Sequence, residues 1–100
     1  MIKPNQIKFR AKLWKYQGKV AWYFFTIPYE ESVLIKYHNA FRKKGWGSVP
    51  VLVKLGKSEW KTSVFPESKS GCYILPMKVE IRKTNNIKEE DYSDIIMELL

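Results

Sequence analysis

The chain has 100 residues, with 18 Lys and Arg against 10 Asp and Glu, a formal net charge of +8, and 15% aromatic residues. That length suits one domain, and a 45% hydrophobic composition excludes a disordered, collagen-like or disulfide-framework chain. One Cys and one His leave little from which to build an elaborate catalytic constellation or a metal site.

The dominant period is two. Ile7, Phe9, Ala11 and Leu13 alternate with Lys8, Arg10, Lys12 and Trp14, the pattern of a half-buried strand. Gln17-Gly18 offers a turn into Val20 to Ile27, a strand apolar on both faces that calls for cover on both sides. After Pro28 the spacing changes and predicts a helix over 29–44. Glu30 and Glu31 suit its positive end, and Arg42, Lys43 and Lys44 its negative end, with Gly45 as the stop. Val33, Leu34, Tyr37, Ala40 and Phe41 form an apolar stripe at helical spacing, with Lys36, Asn39 and Lys43 on the other side. Val49, Val51, Val53 and Leu55 then alternate, and Gly56-Lys57 turns into a strand over Glu59 to Phe65. Pro66 to Gly71 is a polar loop. Tyr73, Leu75, Met77, Val79 and Ile81 keep one face apolar while Lys78, Glu80 and Arg82 point away, with Pro76 marking an edge or a bulge. Lys83 to Asp91 is a polar connection containing at most a short helical turn, and Ser93, Ile95, Met97 and Leu99 close with a last strand. The sum is a mainly β single domain over residues 1–100, six strands and one helix, most simply closed as a small barrel or strongly coiled sheet that hides its edges.

Cys72 has no partner for a disulfide, which fits a reducing compartment. The first fifteen residues lack the apolar segment of a secretory signal, and the longest hydrophobic run, Val20 to Phe25, is far short of the roughly 18 residues a membrane-spanning helix needs. A cytoplasmic protein with no membrane partner is the expectation. The charge is unevenly placed: all 18 basic residues and five acids fall in 1–88, and the other five acids in 89–100.

Several segments, in their order and spacing, resemble the family catalogued as domain of unknown function 1905. They are Phe9-Arg10-Ala11-Lys12-Leu13, Ala21-Trp22-Tyr23-Phe24 running into Ile27-Pro28, and Gly45-Trp46-Gly47-Ser48-Val49-Pro50-Val51. Trp60-Lys61-Thr62-Ser63-Val64-Phe65-Pro66, Gly71-Cys72-Tyr73-Ile74-Leu75-Pro76-Met77-Lys78 and Arg82-Lys83 complete the set. The resemblance implies a partly open, double-split β-barrel, the architecture of AbrB-like transcription factors and antitoxins, and implies no activity. One departure stands out: the family commonly has Gly-Asp ahead of its final strand, where this chain has Glu90-Asp91. Glycine there would permit a positive φ that Glu takes reluctantly, so the last turn is expected to be built differently.

Isolated polar residues give weak chemistry. His38 has no second His and no nearby Cys, and Cys72 has no activating base beside it, so each reads as structural. Thr62-Ser63 lies outside any nucleophile elbow, and Trp60, Thr62 and Val64 share one strand face, which favours packing. Gly45-Trp46-Gly47 lacks the ending of a phosphate loop. Glu89, Glu90, Asp91 and Asp94 lack the alternation and central Gly of a calcium loop, and read as a charged turn leading into an edge strand.

The remaining signal is electrostatic. Lys8, Arg10, Lys12 and Trp14 project to one side of the first strand, and Lys78 and Arg82 make a second basic stripe. Cations interleaved with an aromatic are what nucleic acid or another anionic ligand uses, although lysines also guard edge strands against aggregation. The expectation is a non-enzymatic binding or accessory module without cofactor or metal, binding such an anion through Lys8, Arg10, Lys12, Trp14, Lys78 and Arg82. Two alternatives stand beside it. One is an interaction module that forms a homodimer through a sheet edge. The other is a small-molecule pocket at the barrel mouth near Trp46, Trp60 and Tyr73.

Overall fold

The computed structural model describes residues 5–41 and 47–100. Six antiparallel strands, β1 (Gln6–Lys15), β2 (Tyr23–Thr26), β3 (Val49–Leu55), β4 (Ser58–Glu67), β5 (Cys72–Pro76) and β6 (Tyr92–Leu99), close into a barrel in the order β1-β2-β5-β4-β3-β6. Among the described residues two helices accompany them, α1 (Tyr29–Ala40) and the six-residue α2 (Val79–Thr84). The expected mainly β barrel with one substantial helix is what forms.

The alternation read along the strands sets the inside of the barrel. Ile7, Phe9, Ala11 and Leu13 of β1 point inward and are buried, as are Val49, Val51, Val53 and Leu55 of β3 and Ile95, Met97 and Leu99 of β6. Each buried Val, Leu, Ile or Met of this kind contributes about 1.5–3 kcal/mol over its exposed state. Slipping any of these strands by one residue would turn that set outward and put charged side chains inside, so the register is strongly specified.

The two ten-residue strands do a double duty. Gln6–Lys12 of β1 ladder to β6, whereas Leu13–Lys15 ladder to β2. In β4, residues Ser58–Val64 pair with β3 and Phe65–Glu67 with β5. Each long strand thus crosses from one half-sheet to the other, and neither of its halves is laddered on both sides. At these crossings the ladders change partner within a ring that is closed.

The antiparallel registers put the start of β1 and β5 and the end of β2, β4 and β6 at one end of the barrel. There α1 packs, fixed by the buried hydroxyl of Ser32. Ser32 Oγ donates to the Ile27 carbonyl at 2.9 Å and accepts from the Tyr73 N–H at 2.9 Å, tying the helix to the last turn of β2 and the first of β5. Ile35 follows it into the core.

That anchor rotates the helix away from the orientation an apolar stripe ordinarily takes. Val33, Leu34, Tyr37 and Phe41 face solvent, while Ser32 and Ile35 are buried and Asn39 is half-buried. The polar Ser32 is inside because two barrel backbone groups would lack partners without it. The expected helix residues beyond Phe41, and the Gly45 stop, lie outside the described residues.

Three further expectations change. The strand expected over Val20 to Ile27 shortens to Tyr23–Thr26, because Tyr16 N–H bonds the Trp22 carbonyl and makes 16–22 a loop. The strand expected through Ile81 stops at Pro76. The Met77 N–H reaches the Tyr23 carbonyl, the first residue of β2, and beyond it there is no neighbour to ladder with, so the chain coils into α2. There Ile81 packs on the core and Val79 is exposed. Finally, β6 is no edge strand: it lies between β1 and β3.

Replacing Ser32 by Ala leaves the Tyr73 N–H and the Ile27 carbonyl short of a partner inside the protein. The expected loss is about 1–3 kcal/mol of unfolding free energy, read from the urea midpoint at unchanged slope; a variant as stable as the parent would remove Ser32 as the anchor.

Candidate functional site

The outer face of β1 changes character where the strand changes sheet. Along its first half the neighbours are the outward residues of β6, so that Arg10 is registered with Asp94 and Lys12 with Tyr92. Arg10 Nη1 lies 3.3 Å from Asp94 Oδ1 and Lys12 Nζ 3.1 Å from Glu90 Oε2. Glu90 raises the Lys12 ammonium above its ordinary pKa, first through the hydrogen bond and then through its charge. The Arg10 guanidinium also lies 5.6 Å from the centre of the Tyr92 ring. On the same outer surface Lys54 pairs with Glu59 at 3.5 Å. The acidic turn read in the sequence is therefore the counter-charge of the β1 stripe. Exposed pairs of this sort add little stability, but they cancel the field that an anion would seek. Lys8, registered with Ile96, has no ion pair among the described residues.

Along the second half of β1 the outer face becomes aromatic. Trp14 is registered with Phe24, which in turn is registered with Pro76. The Trp14 and Phe24 rings lie 5.2 Å apart, and Trp22 stacks beyond Phe24 at 6.1 Å with an interplanar angle of 25°. Trp14 Nε1 donates to Thr26 Oγ1 at 2.9 Å, which fixes its indole plane. Phe24 is buried between its two neighbours, while Trp22 is 53% exposed. Beside this row a second one runs through Thr26, Ile74 and Phe65.

Two clefts meet at Trp22. One, of about 300 Å³, is lined by Tyr16, Lys19, Val20, Trp22 and Phe24. The other, also of about 300 Å³, runs from Ala21, Trp22 and Tyr23 to Pro76, Met77, Lys78, Val79 and Arg82. Neither has an acidic lining residue among those described. The Arg82 guanidinium carbon sits 3.8 Å from the centre of the Tyr23 ring, close enough for a strong cation–π contact, and its Nε is buried with no hydrogen-bond partner among the described residues. Lys19 and Lys78 make no ion pair among the described residues.

The six residues expected to bind an anion thus separate. The structure brings Trp14, Lys78 and Arg82 to one end of the barrel, around Trp22, and leaves Lys8, Arg10 and Lys12 beside the acids of β6 and its preceding turn. Sequence reasoning missed Trp22, Phe24 and Tyr23. The signal was there, in a strand with no polar face, but it was read as a demand for cover rather than as an exposed platform.

Of the alternative pocket residues, Trp60 and Tyr73 lie apart. Trp60 points inward from β4 opposite Val53 and packs on the core, with its Nε1 unpartnered among the described residues. Tyr73 is registered with Pro66, six positions further along β4, roughly 20 Å of strand. Its burial pushes the phenol pKa up. Trp46 lies outside the described residues. His38 Nε2 faces the Leu100 carbonyl at 3.4 Å, and Cys72 is a half-buried free thiol. No three His, Cys, Asp or Glu side chains among the described residues are grouped to hold a metal ion, and no helix among them is long and apolar enough to cross a membrane.

Residues 9–96 match the family described as Domain of unknown function (DUF1905), and the chain belongs to it. No curated protein matches the chain.

The turn before β6, where the family's Gly is replaced, keeps the conformation that Gly favours: Glu90 has φ +78°. Its N–H donates to the Leu13 carbonyl at 2.8 Å, so the ladder, and not the residue type, dictates the turn. A non-glycine residue held there costs of the order of 1–2 kcal/mol. Glu90→Gly is therefore expected to unfold within a few degrees of the parent or above it, and the β-branched Glu90→Val well below it; thermal unfolding with Val equal to Glu would contradict the strained turn.

Proposed function

We propose that this member of the family is a non-enzymatic module that binds a single-stranded nucleic acid on the Trp14–Phe24–Trp22 platform. The observation that carries this reading is the position of Trp22, an exposed, stacked indole forming a wall shared by two clefts, with Lys19 on one side and Lys78 and Arg82 on the other. Bases have π-faces and phosphates have charge, and a stacking surface bordered by uncompensated cations answers both. The formal net charge of +8 adds long-range attraction to a polyanion. Lys15, registered with Tyr23, extends the cationic border towards β1. Arg10 and Lys12 on the first half of β1 are left out of this site, because Asp94 and Glu90 neutralise them. In the cytoplasm, where we place the protein, such a module would act as an accessory to a larger nucleic-acid process.

Tryptophan fluorescence titrated with oligo-dT and oligo-U at low ionic strength tests this reading. The expected result is quenching, with an affinity that falls as salt rises and drops about 5- to 150-fold in Trp22→Ala, in keeping with ~1–3 kcal/mol for one stacked base. Arg82→Gln weakens binding as well, whereas Arg10→Gln changes it little. No binding to either oligomer at low salt would overturn the proposal, and equal losses for Arg10→Gln and Arg82→Gln would move the site back to the first strand.

A further inference from the structure

The outward face of α1 is the second feature of the surface that an isolated barrel leaves unexplained. Tyr29, Val33, Tyr37 and Phe41 recur every four residues and so lie along one side of the helix, with Leu34 beside them. Tyr29 is 67% exposed, Tyr37 69% and Phe41 78%. Tyr37 and Phe41 meet edge to face at 5.5 Å between ring centres, so the rings are already ordered against each other. Next to them a groove of about 300 Å³ runs between Leu34, Tyr37 and His38 of the helix and Ile7 and Leu99 of the barrel. The face therefore carries both protruding rings and a depression, side by side.

We infer that a second copy of this chain covers this face, α1 against α1 across a two-fold axis. Size is the first argument. With about 150–250 Å² available to each aromatic side chain, the three exposed rings present on the order of 400 Å². Val33, Leu34 and Leu100, all exposed, bring the patch to roughly 600–700 Å², above what a typical monomer leaves open. Two such faces together bury roughly 1,200–1,400 Å², within the range of specific interfaces. Shape is the second argument. A two-fold pairing needs one patch that fits itself, and rings standing beside a groove on the same face supply that. The third is helix chemistry: the buried side of α1 carries Ser32, and its open side carries the aromatics that enrich the centres of interfaces. The contact uses a helix face and needs no free strand edge. It is independent of nucleic-acid binding, since the platform lies at the opposite end of the barrel.

Sedimentation equilibrium of the parent chain over micromolar to millimolar concentration, beside Tyr37→Glu and Phe41→Glu, tests the inference. The parent is expected to pass from monomer to dimer, and each variant to dissociate at least tenfold more readily. The substituted side chains touch solvent, so at low concentration, where the parent is monomeric, the circular dichroism and unfolding midpoint are expected to stay at parent values. A parent that remains monomeric at millimolar concentration, or a dimer that both variants leave intact, overturns it. Oligonucleotide titration of Tyr37→Glu separates the two proposals, because its platform is unaltered.

Discussion

The passage of β1 from one half-sheet to the other, between Lys12 and Leu13, is the constraint on which the surface of this barrel depends. A strand with a single repeating pattern meets two different neighbours along its length. Where β6 lies alongside, two of the outward cations of β1, Arg10 and Lys12, find the carboxylates of Asp94 and Glu90. Where β2 lies alongside, the outward position holds Trp14, and its neighbour is Phe24. The crossing therefore separates charge from aromatic surface, although the sequence interleaves them within eight residues. The same device in β4 places Phe65, outward in the second half-sheet, in line with Ile74 and Thr26.

The inside of the barrel was legible from the sequence because burial in a sheet has a period of two and nothing else competes with it. Ile7 to Leu13, Val49 to Leu55 and Ile95 to Leu99 each fall inward where the alternation puts them. The helix misleads for a reason that no local pattern contains. Its rotation is set by a hydroxyl that satisfies an N–H on β5 and a carbonyl after β2, residues 41 and 5 positions away. With Ser32 and Ile35 turned inward and the Ser32 hydroxyl satisfying both backbone groups, the aromatic stripe on the other side of the helix is turned out.

The candidate site was half legible for a related reason. Period-two reading identifies which residues share a face of one strand, and it placed Lys8, Arg10, Lys12 and Trp14 together correctly. It says nothing of the strand alongside. The acids that cancel Arg10 and Lys12 come from 94 and 90, and the ring that stacks on Trp14 comes from 24. Arg82 was placed outward on a strand, whereas the loss of a ladder partner after Met77 coils the chain and lays the guanidinium over Tyr23. Glu90 is the converse case. The residue type argued for a different turn, yet the bonds between Leu13 and residues 90 and 91 hold the backbone at positive φ despite the strain.

The two proposed surfaces occupy opposite ends of one rigid barrel, and this has a consequence for how they act together. Trp22, Lys78 and Arg82 lie at the end where β2 begins and β5 finishes, and α1 stands where β2 finishes and β5 begins. Pairing through α1 would leave both platforms open. A strand of nucleic acid long enough to reach from one platform round to the other would convert its second contact into an intramolecular one, and its affinity would rise by the effective concentration at that span without any new contact. An oligomer too short to reach would bind the two copies independently. The advantage of the pair over the single barrel then depends on ligand length, with a threshold set by the size of two barrels end to end and not by any property of the platform itself.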